Sequence, residues 1–259
     1  TYIYSKPRII SVESYTQSIP GENRWDKVRE PDLVVGTGEQ YDRWQKYYQN
    51  VLGYNNAEEM AMAMIAEYNA TYESIKKYNG FYIGRYELTG SIDNPTVRKG
   101  KVLTTYDSQA ENWYDFKKAC TNVVANNKYA QSTMIYGNQW DETMSWLKTT
   151  IFKNDETKVD QDSSSWGNYK ETAVLNSEGT VTIKNANSET TLNTGETTFT
   201  MKNNIYDLAG NYYEWTQEVV HRDCRVLRGG SSYAFSGSEN AAADRGNCLT
   251  DRGHSCPDS

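Results

Sequence analysis

Apolar residues recur at helical spacing in three stretches. From Ala57 to Tyr78, Met64, Ile65, Tyr68, Tyr72 and Ile75 fall on one face, which predicts an amphipathic helix whose methionines fill a core. Asn56 stands where an N-cap belongs, and Glu59 completes capping-box spacing. Asn79-Gly80 then supplies residues that tolerate the left-handed turn ending a helix. A second helix is predicted from near Ser108, where Ser-Gln-Ala-Glu repeats the capping-box spacing. Trp113, Phe116, Cys120 and Val123 or Val124 make its inward stripe. A third is predicted from near Gln139, with Trp140, Met144, Leu147 and Ile151 on one face.

Between and around the helices the pattern turns to strand and loop. Tyr2-Ile-Tyr and Ile9-Ile-Ser-Val predict short strands, and residues 18–23 and 35–39 read as turns and loop. Aromatic and β-branched residues crowd both parities of Phe81-Tyr-Ile-Gly-Arg-Tyr-Glu-Leu88, predicting a strand buried on much of both faces. Gly90 to Gly100 reads as loop, and the acidic run Asp155 to Ser165 as a surface loop. Thr172-Ala-Val-Leu175 and Thr180-Val-Thr-Ile183 flank Asn176-Ser-Glu-Gly179, a hairpin signal. After Ser231 nothing alternates or repeats with a helical period. The expected fold class is α+β, with residues 1–56 an N-terminal extension of short strands and loops packed on a main domain over 57–259.

Composition narrows the function classes. A chain of 259 residues with 37% apolar content can bury a sizeable core. A net charge of -7 argues against tracking nucleic-acid phosphates. No apolar run approaches the ~18 residues of a membrane span. The chain opens on Thr1 rather than Met, so a preceding piece is expected. Cys120 sits at an apolar helical position and reads as a buried thiol. Cys224, Cys248 and Cys256 lie in or beside the tail; Cys248 and Cys256 can bridge, but three candidates leave one over, so no disulfide framework follows.

Three segments carry a resemblance. Phe81-Tyr-Ile-Gly-Arg-Tyr-Glu, Asn204-Ile-Tyr-Asp-Leu-Ala-Gly-Asn-Tyr-Tyr-Glu-Trp-Thr and Arg225-Val-Leu-Arg-Gly-Gly-Ser occur in the order found in the formylglycine-generating-enzyme (sulfatase-modifying factor) superfamily, which this chain resembles. Tyr136-Gly-Asn-Gln-Trp-Asp-Glu is similar to a helix segment of the same family. The likeness runs from about Phe81 to the C-terminus and implies a loop-rich variant of the C-type lectin fold. It implies a final Gly-Phe-Arg strand as well, and the sequence stops at Ser259 where that strand is expected to begin.

The superfamily holds enzymes and binding proteins, so the site must decide between them. Its oxidases hold copper on two cysteines five positions apart, just after the Gly-Gly-Ser turn. Here Ala234 and Glu239 stand at those positions, and no two cysteines anywhere are five apart. Oxygen ligands are poor substitutes for thiolates on Cu(I), so the formylglycine-type oxidase is the disfavoured alternative and no copper is expected. Relatives that use iron need more histidines than His221 and His254, so no iron is expected either.

The favoured reading is a non-enzymatic ligand-binding protein like those diversified by retroelements, on a phage tail or a bacterial surface. In such proteins the varied stretch begins after Arg-Gly-Gly-Ser. Codons of the Asn type, once mutagenised at adenine, exclude Lys, Gln, Met and Trp, and none of the four occurs between Gly229 and Ser259, although Glu239 is not a product of such a codon. The candidate ligand contacts are Ser232, Tyr233, Phe235, Asp244, Asn247, Cys248, His254 and Cys256, with aromatic anchors and adjustable polar neighbours. Ser236-Gly-Ser238, Ala241 and Arg245-Gly246 are expected as framework. The partner expected is a host-cell surface protein or glycan, with no nucleic acid, no membrane insertion and a homo-oligomer as the assembly a virion appendage suggests. A structural virion or adhesion domain is a third reading. The resemblance further implies a structural calcium ion on Asp207, Gly210, Tyr212 and Glu214, whose carboxylates and backbone carbonyls are hard oxygen donors.

Overall fold

The computed structural model describes residues 2–4, 49–104, 112–221, 224–233, 242 and 245–249. The strands and loops expected at 5–48, and the capping box expected at Ser108, lie outside these residues. The architecture is a mixture of helices and small antiparallel sheets, hence α+β.

Strand β1 (Tyr2–Tyr4) pairs antiparallel with β2 (Gly80–Tyr82). Between them α1 spans Ala57–Tyr78 and ends at Asn79 in the left-handed region. Asn56 Oδ1 caps the helix by accepting from the Glu59 N–H (2.8 Å). Glu59 reaches back one residue further than the capping box requires, to the N–H of Asn55 (3.0 Å). Met60, Met64 and Tyr68 are buried, while Ile65, Tyr72 and Ile75 are half-buried.

Of the long strand expected over Phe81–Leu88, only Phe81 and Tyr82 belong to β2, and irregular chain follows. Its backbone groups serve several separate segments instead of one ladder: Arg85 O accepts from Tyr206 N (2.9 Å) and Leu88 O from Leu103 N (2.8 Å). Tyr82 is 82% exposed, so this stretch is not covered on both faces. The expected loop at 90–100 contains a small hairpin, β3 (Thr89–Gly90) with β4 (Pro95–Thr96).

Helix α2 spans Trp113–Asn122, its N-terminus closed by a reciprocal box between Asn112 and Asp115. Helix α3 spans Gly137–Thr150 and buries Trp140, Met144 and Leu147 as its periodicity predicts. The run expected to be a surface loop after Asp155 instead forms a short helix, α4 (Thr157–Asp160), because its lone apolar residue Val159 is drawn into the core. The predicted hairpin is present as β5 (Val174–Leu175) with β6 (Thr182–Lys184). A second small pair, β7 (Met201–Lys202) with β8 (Ile205–Tyr206), precedes the main sheet.

That sheet has the order β11-β10-β9, all antiparallel, from β9 (Glu214–His221), β10 (Cys224–Arg228) and β11 (Arg245–Leu249). Strand β11 corrects the expectation that the tail is loop throughout. Its register sets Asn247 opposite Val226 and Cys248 opposite Arg225. One buried cluster joins α3, Val159, Trp166, Tyr169, Ile205, Leu208 and Ala242. A second joins Met60 and Met64 of α1 to Trp113, Tyr114, Phe116 and Met134.

Buried charges tie these parts together. Arg228, fully buried, donates through Nε and Nη2 to the two oxygens of buried Glu218 (2.6 and 2.7 Å). Its Nη2 also lies 3.0 Å from Asp141 on α3. Arg225 stacks on Trp113 at 4.2 Å, and Trp113 Nε1 donates to Thr216 O (2.9 Å). Glu67 on α1 accepts from Lys117 Nζ (2.6 Å), from Tyr136 OH (3.1 Å) and from Thr133. Burial pushes the Glu67 carboxyl up, but the Lys117 charge and these donors hold it below the usual range. The arginines that precede the Gly-Gly-Ser turn are therefore fixed before the tail begins.

Candidate functional site

The segment Asp207–Asn211 is a tight loop with Asp207, Gly210 and Asn211 all at positive φ. Asp and Asn tolerate that region; Gly210 is required for a further reason, since a Cβ there would lie 2.4 Å from Asn168 O. Asn211 is the hub. Its Oδ1 accepts from Leu192 N (2.8 Å) and Asn168 Nδ2 (3.0 Å). Its Nδ2 donates to Leu192 O (3.2 Å) and to Glu87 Oε2 (3.0 Å). The backbone N–H of Asn211 donates to Asn168 O (2.8 Å), and its carbonyl accepts from Ser232 N (3.0 Å).

Three carboxylates gather beside this hub. Asp207, buried, accepts from Thr200 Oγ1 (2.6 Å) and Gly195 N (3.2 Å). Glu87 and Glu214 are half-buried as residues, yet Glu87 Oε1 and Glu214 Oε2 are shut off from solvent and accept no hydrogen bond. Asn168 Oδ1, on a fully buried residue, is likewise without a donor. Glu214 Oε2 lies against the Cα of Gly229, where a Cβ would meet it at 2.2 Å. Burial, and then the charge of Asp207, push the Glu87 carboxyl well up. Burial, then Glu87 and Asp207, push Glu214 well up. Burial also raises Asp207, against the donors that Thr200 and Gly195 provide.

Buried acceptor oxygens without donors on Glu87, Glu214 and Asn168, beside three mutually repelling acids, call for positive charge: protons or a cation. Of the four residues expected to hold calcium, Asp207 and Glu214 contribute to this cluster. Gly210 shapes the loop, and Tyr212 directs its hydroxyl to Thr191 (2.9 Å). Among the described residues no three His, Cys, Asp or Glu side chains are set to hold an ion by themselves. Backbone carbonyls would have to complete the shell, as is usual for calcium. Glu87 and Asn168 were missed as candidates; the Gly-Asn pair after Trp166 and the Glu ending the Arg-Tyr-Glu segment were their only signals.

The start of the tail is anchored in the same lattice. Gly229 O accepts from Gly210 N and Tyr169 OH (both 2.8 Å). Ser232 is buried, its N–H spent on Asn211 and its hydroxyl on Glu189 O (3.2 Å). Both donors of Ser232, expected as a ligand contact, are committed to the scaffold, so it serves as an anchor. Tyr233, next in the chain, is 48% exposed. Ala242 is a second anchor: its N–H donates to Ser163 Oγ (2.9 Å), and its carbonyl accepts from Trp140 Nε1 (3.0 Å). Asn247 and Cys248 fall on β11, whereas Phe235, Asp244, His254 and Cys256 lie outside the described residues. So do Ala234 and Glu239, the positions of the missing thiols.

No protein-family model matches the chain, and neither a curated protein nor a solved structure does. No helix among the described residues is long and apolar enough to cross a membrane.

Proposed function

We propose that this chain is a non-enzymatic ligand-binding protein with a C-type lectin-like scaffold, whose tail beyond Ser232 presents a variable contact face. The observation that carries the reading is the double anchorage: Ser232 and Ala242 are both buried and hydrogen-bonded into the scaffold, with Tyr233 emerging between them. Fixed ends let the intervening side chains change without loosening the fold, which is what a diversified surface needs. The remaining contact candidates are Tyr233, Phe235, Asp244, Asn247, Cys248, His254 and Cys256. The setting is a phage tail or bacterial surface, the ligand a host-cell surface protein or glycan, and the assembly a homo-oligomer.

A structural calcium ion belongs to the same proposal, with Glu87, Asp207, Glu214 and backbone carbonyls of the loop at Gly210 and Tyr212 as its holders. When bound it would neutralise the buried acids and stiffen the loop that supports Ser232. The whole reading is tested by exchanging Tyr233–Asp244 between two natural variants of the chain and measuring binding of the labelled proteins to a panel of bacterial strains. The strain preference should travel with the exchanged segment. A preference that stays with the scaffold, or no binding by either parent, would overturn it.

A further inference from the structure

Glu67 ties α1 to three other segments through one carboxylate. Lys117 Nζ on α2 donates to both of its oxygens (2.6 and 2.7 Å) and to Thr133 Oγ1 (2.8 Å). Thr133 in turn donates to Glu67, as does Tyr136 OH, and Gln217 Nε2 of β9 donates to Thr133 Oγ1 (3.1 Å). Three further titratable or charged groups face this knot. Tyr54 precedes α1, and its hydroxyl is pushed up by burial and then by Glu67 and Glu59. Burial pushes the Cys120 thiol of α2 up to about 11, so it is neutral in acid. Arg225 of β10 bears on Lys117 with a like charge. The Glu67 side chain is 33% exposed and that of Lys117 only 6%, so a proton from solvent reaches the carboxylate while the ammonium stays buried.

We propose that Glu67 is an acid-sensitive latch, whose protonation releases α1 while α2, the 133–136 segment, β9 and β10 stay assembled. A neutral Glu67 leaves the buried Lys117 ammonium facing Arg225 without the anion that balances it, a costly state that moving α1 aside relieves by admitting water. The other segments are joined by groups that keep their charge in acid. Trp113 Nε1 donates to Thr216 O, and Arg225 both stacks on Trp113 and donates to Gln217 O (3.0 Å). Gln217 holds Ile135 O through its backbone N–H (3.0 Å) and Met134 O through Nε2 (2.7 Å). On α1, Met60 and Met64 are packed and Tyr68 OH accepts from Asn138 Nδ2 (2.9 Å), but Ile65, Tyr72 and Ile75 are only half-buried. Burial raises the Glu67 carboxyl, and the Lys117 charge with the surrounding donors more than reverses this. Its stabilisation is therefore complete above the ordinary carboxylate range near pH 4 and is lost as pH falls through the lower folded value. Acid acts in the opposite sense on Glu87, Asp207 and Glu214, which hold their protons more tightly when folded, so the loosening is confined to the α1 side.

Hydrogen exchange of the full chain, read by mass spectrometry from about pH 7 down to about pH 2.5 and corrected for intrinsic exchange rates, tests the latch. Peptides within 60–75 should lose protection by about ten-fold or more in acid, and those covering 113–122 and 225–228 by about two-fold at most. Glu67→Gln should show the loosened α1 already at pH 7 and respond little to further acid. Adding Lys117→Met removes the stranded cation and should restore α1 protection across the range. If Glu67→Gln does not fold, the pH series of the native chain and the double variant decide. Protection of α1 that is indifferent to pH would overturn the latch. So would a loss shared equally by α2 and β10, which marks global unfolding, or a double variant in which α1 still loosens in acid.

Discussion

Replacing Glu87 with glutamine asks whether the buried acids are electrostatically frustrated. Glu87 Oε2 accepts from Asn211 and Oε1 accepts from nothing. A glutamine can keep the first bond and direct an N–H₂ toward the acceptors that lack donors. Glu87, Asp207 and Glu214 all bind their protons more tightly folded than unfolded. The stability these groups contribute is therefore complete below the ordinary carboxylate range near pH 4 and is lost as pH rises through the elevated values. Like charges held close together repel by roughly a few kcal/mol at an effective dielectric of about 20. In EDTA at pH 8, Glu87→Gln should thus stabilise the protein by roughly 1–3 kcal/mol, each kcal/mol being about 2–4 °C for a chain of this size. At pH 4 the gain should shrink toward zero. With calcium at a hundred times its Kd the native protein should gain about 2.7 kcal/mol and the variant clearly less. Thermal unfolding at the two pH values, with EDTA and with calcium, reads all of this. An equal loss of stability in every condition would mean that Glu87 is only a hydrogen-bond acceptor, and the reasoning would fail.

Other perturbations have signs set by the same contacts. Arg228→Met leaves Glu218 buried without its bidentate partner and should cost about 3–5 kcal/mol in chemical denaturation. Combining it with Glu218→Met should recover much of that loss. Lys184 is buried and donates to Tyr169 O (2.6 Å) and Thr172 O (2.9 Å). Lys184→Met should therefore cost about 1–3 kcal/mol per stranded carbonyl, seen as faster amide exchange across the β5–β6 hairpin. Ser163→Ala removes the acceptor for the Ala242 N–H; it should raise protease cleavage between Tyr233 and Ala242 while lowering global stability by about 1–3 kcal/mol at most.

The helices were legible because their cues are local. Ala57–Tyr78 follows from an Asn cap, a periodic face and an Asn-Gly stop, all within one segment. The misses are places where distant partners decide. Phe81–Leu88 has strand composition, but the partners of its backbone are Tyr206 and Leu103, in two different segments. Residues 155–165 read as solvent-facing until Val159 and Ser163 find the core. Strand β11 has little strand propensity in Arg-Gly-Asn-Cys-Leu and exists as the neighbour of β10. At the site, Asp207 and Glu214 stand in one recognisable segment. Glu87, Asn168 and Asn211 converge from three, and no periodicity signals such a polar hub.

Sequencing the coding region from sibling isolates tests the central claim most directly. Substitutions should concentrate at Tyr233, Phe235, Asp244, Asn247 and Cys248 and begin at adenines. The buried anchors Ser231, Ser232 and Ala242 should stay unchanged, together with Glu87, Asn168, Asp207 and Glu214. A tail from Tyr233 to Cys256 that is identical in all isolates, while synonymous changes accumulate in the rest of the gene, would contradict the account.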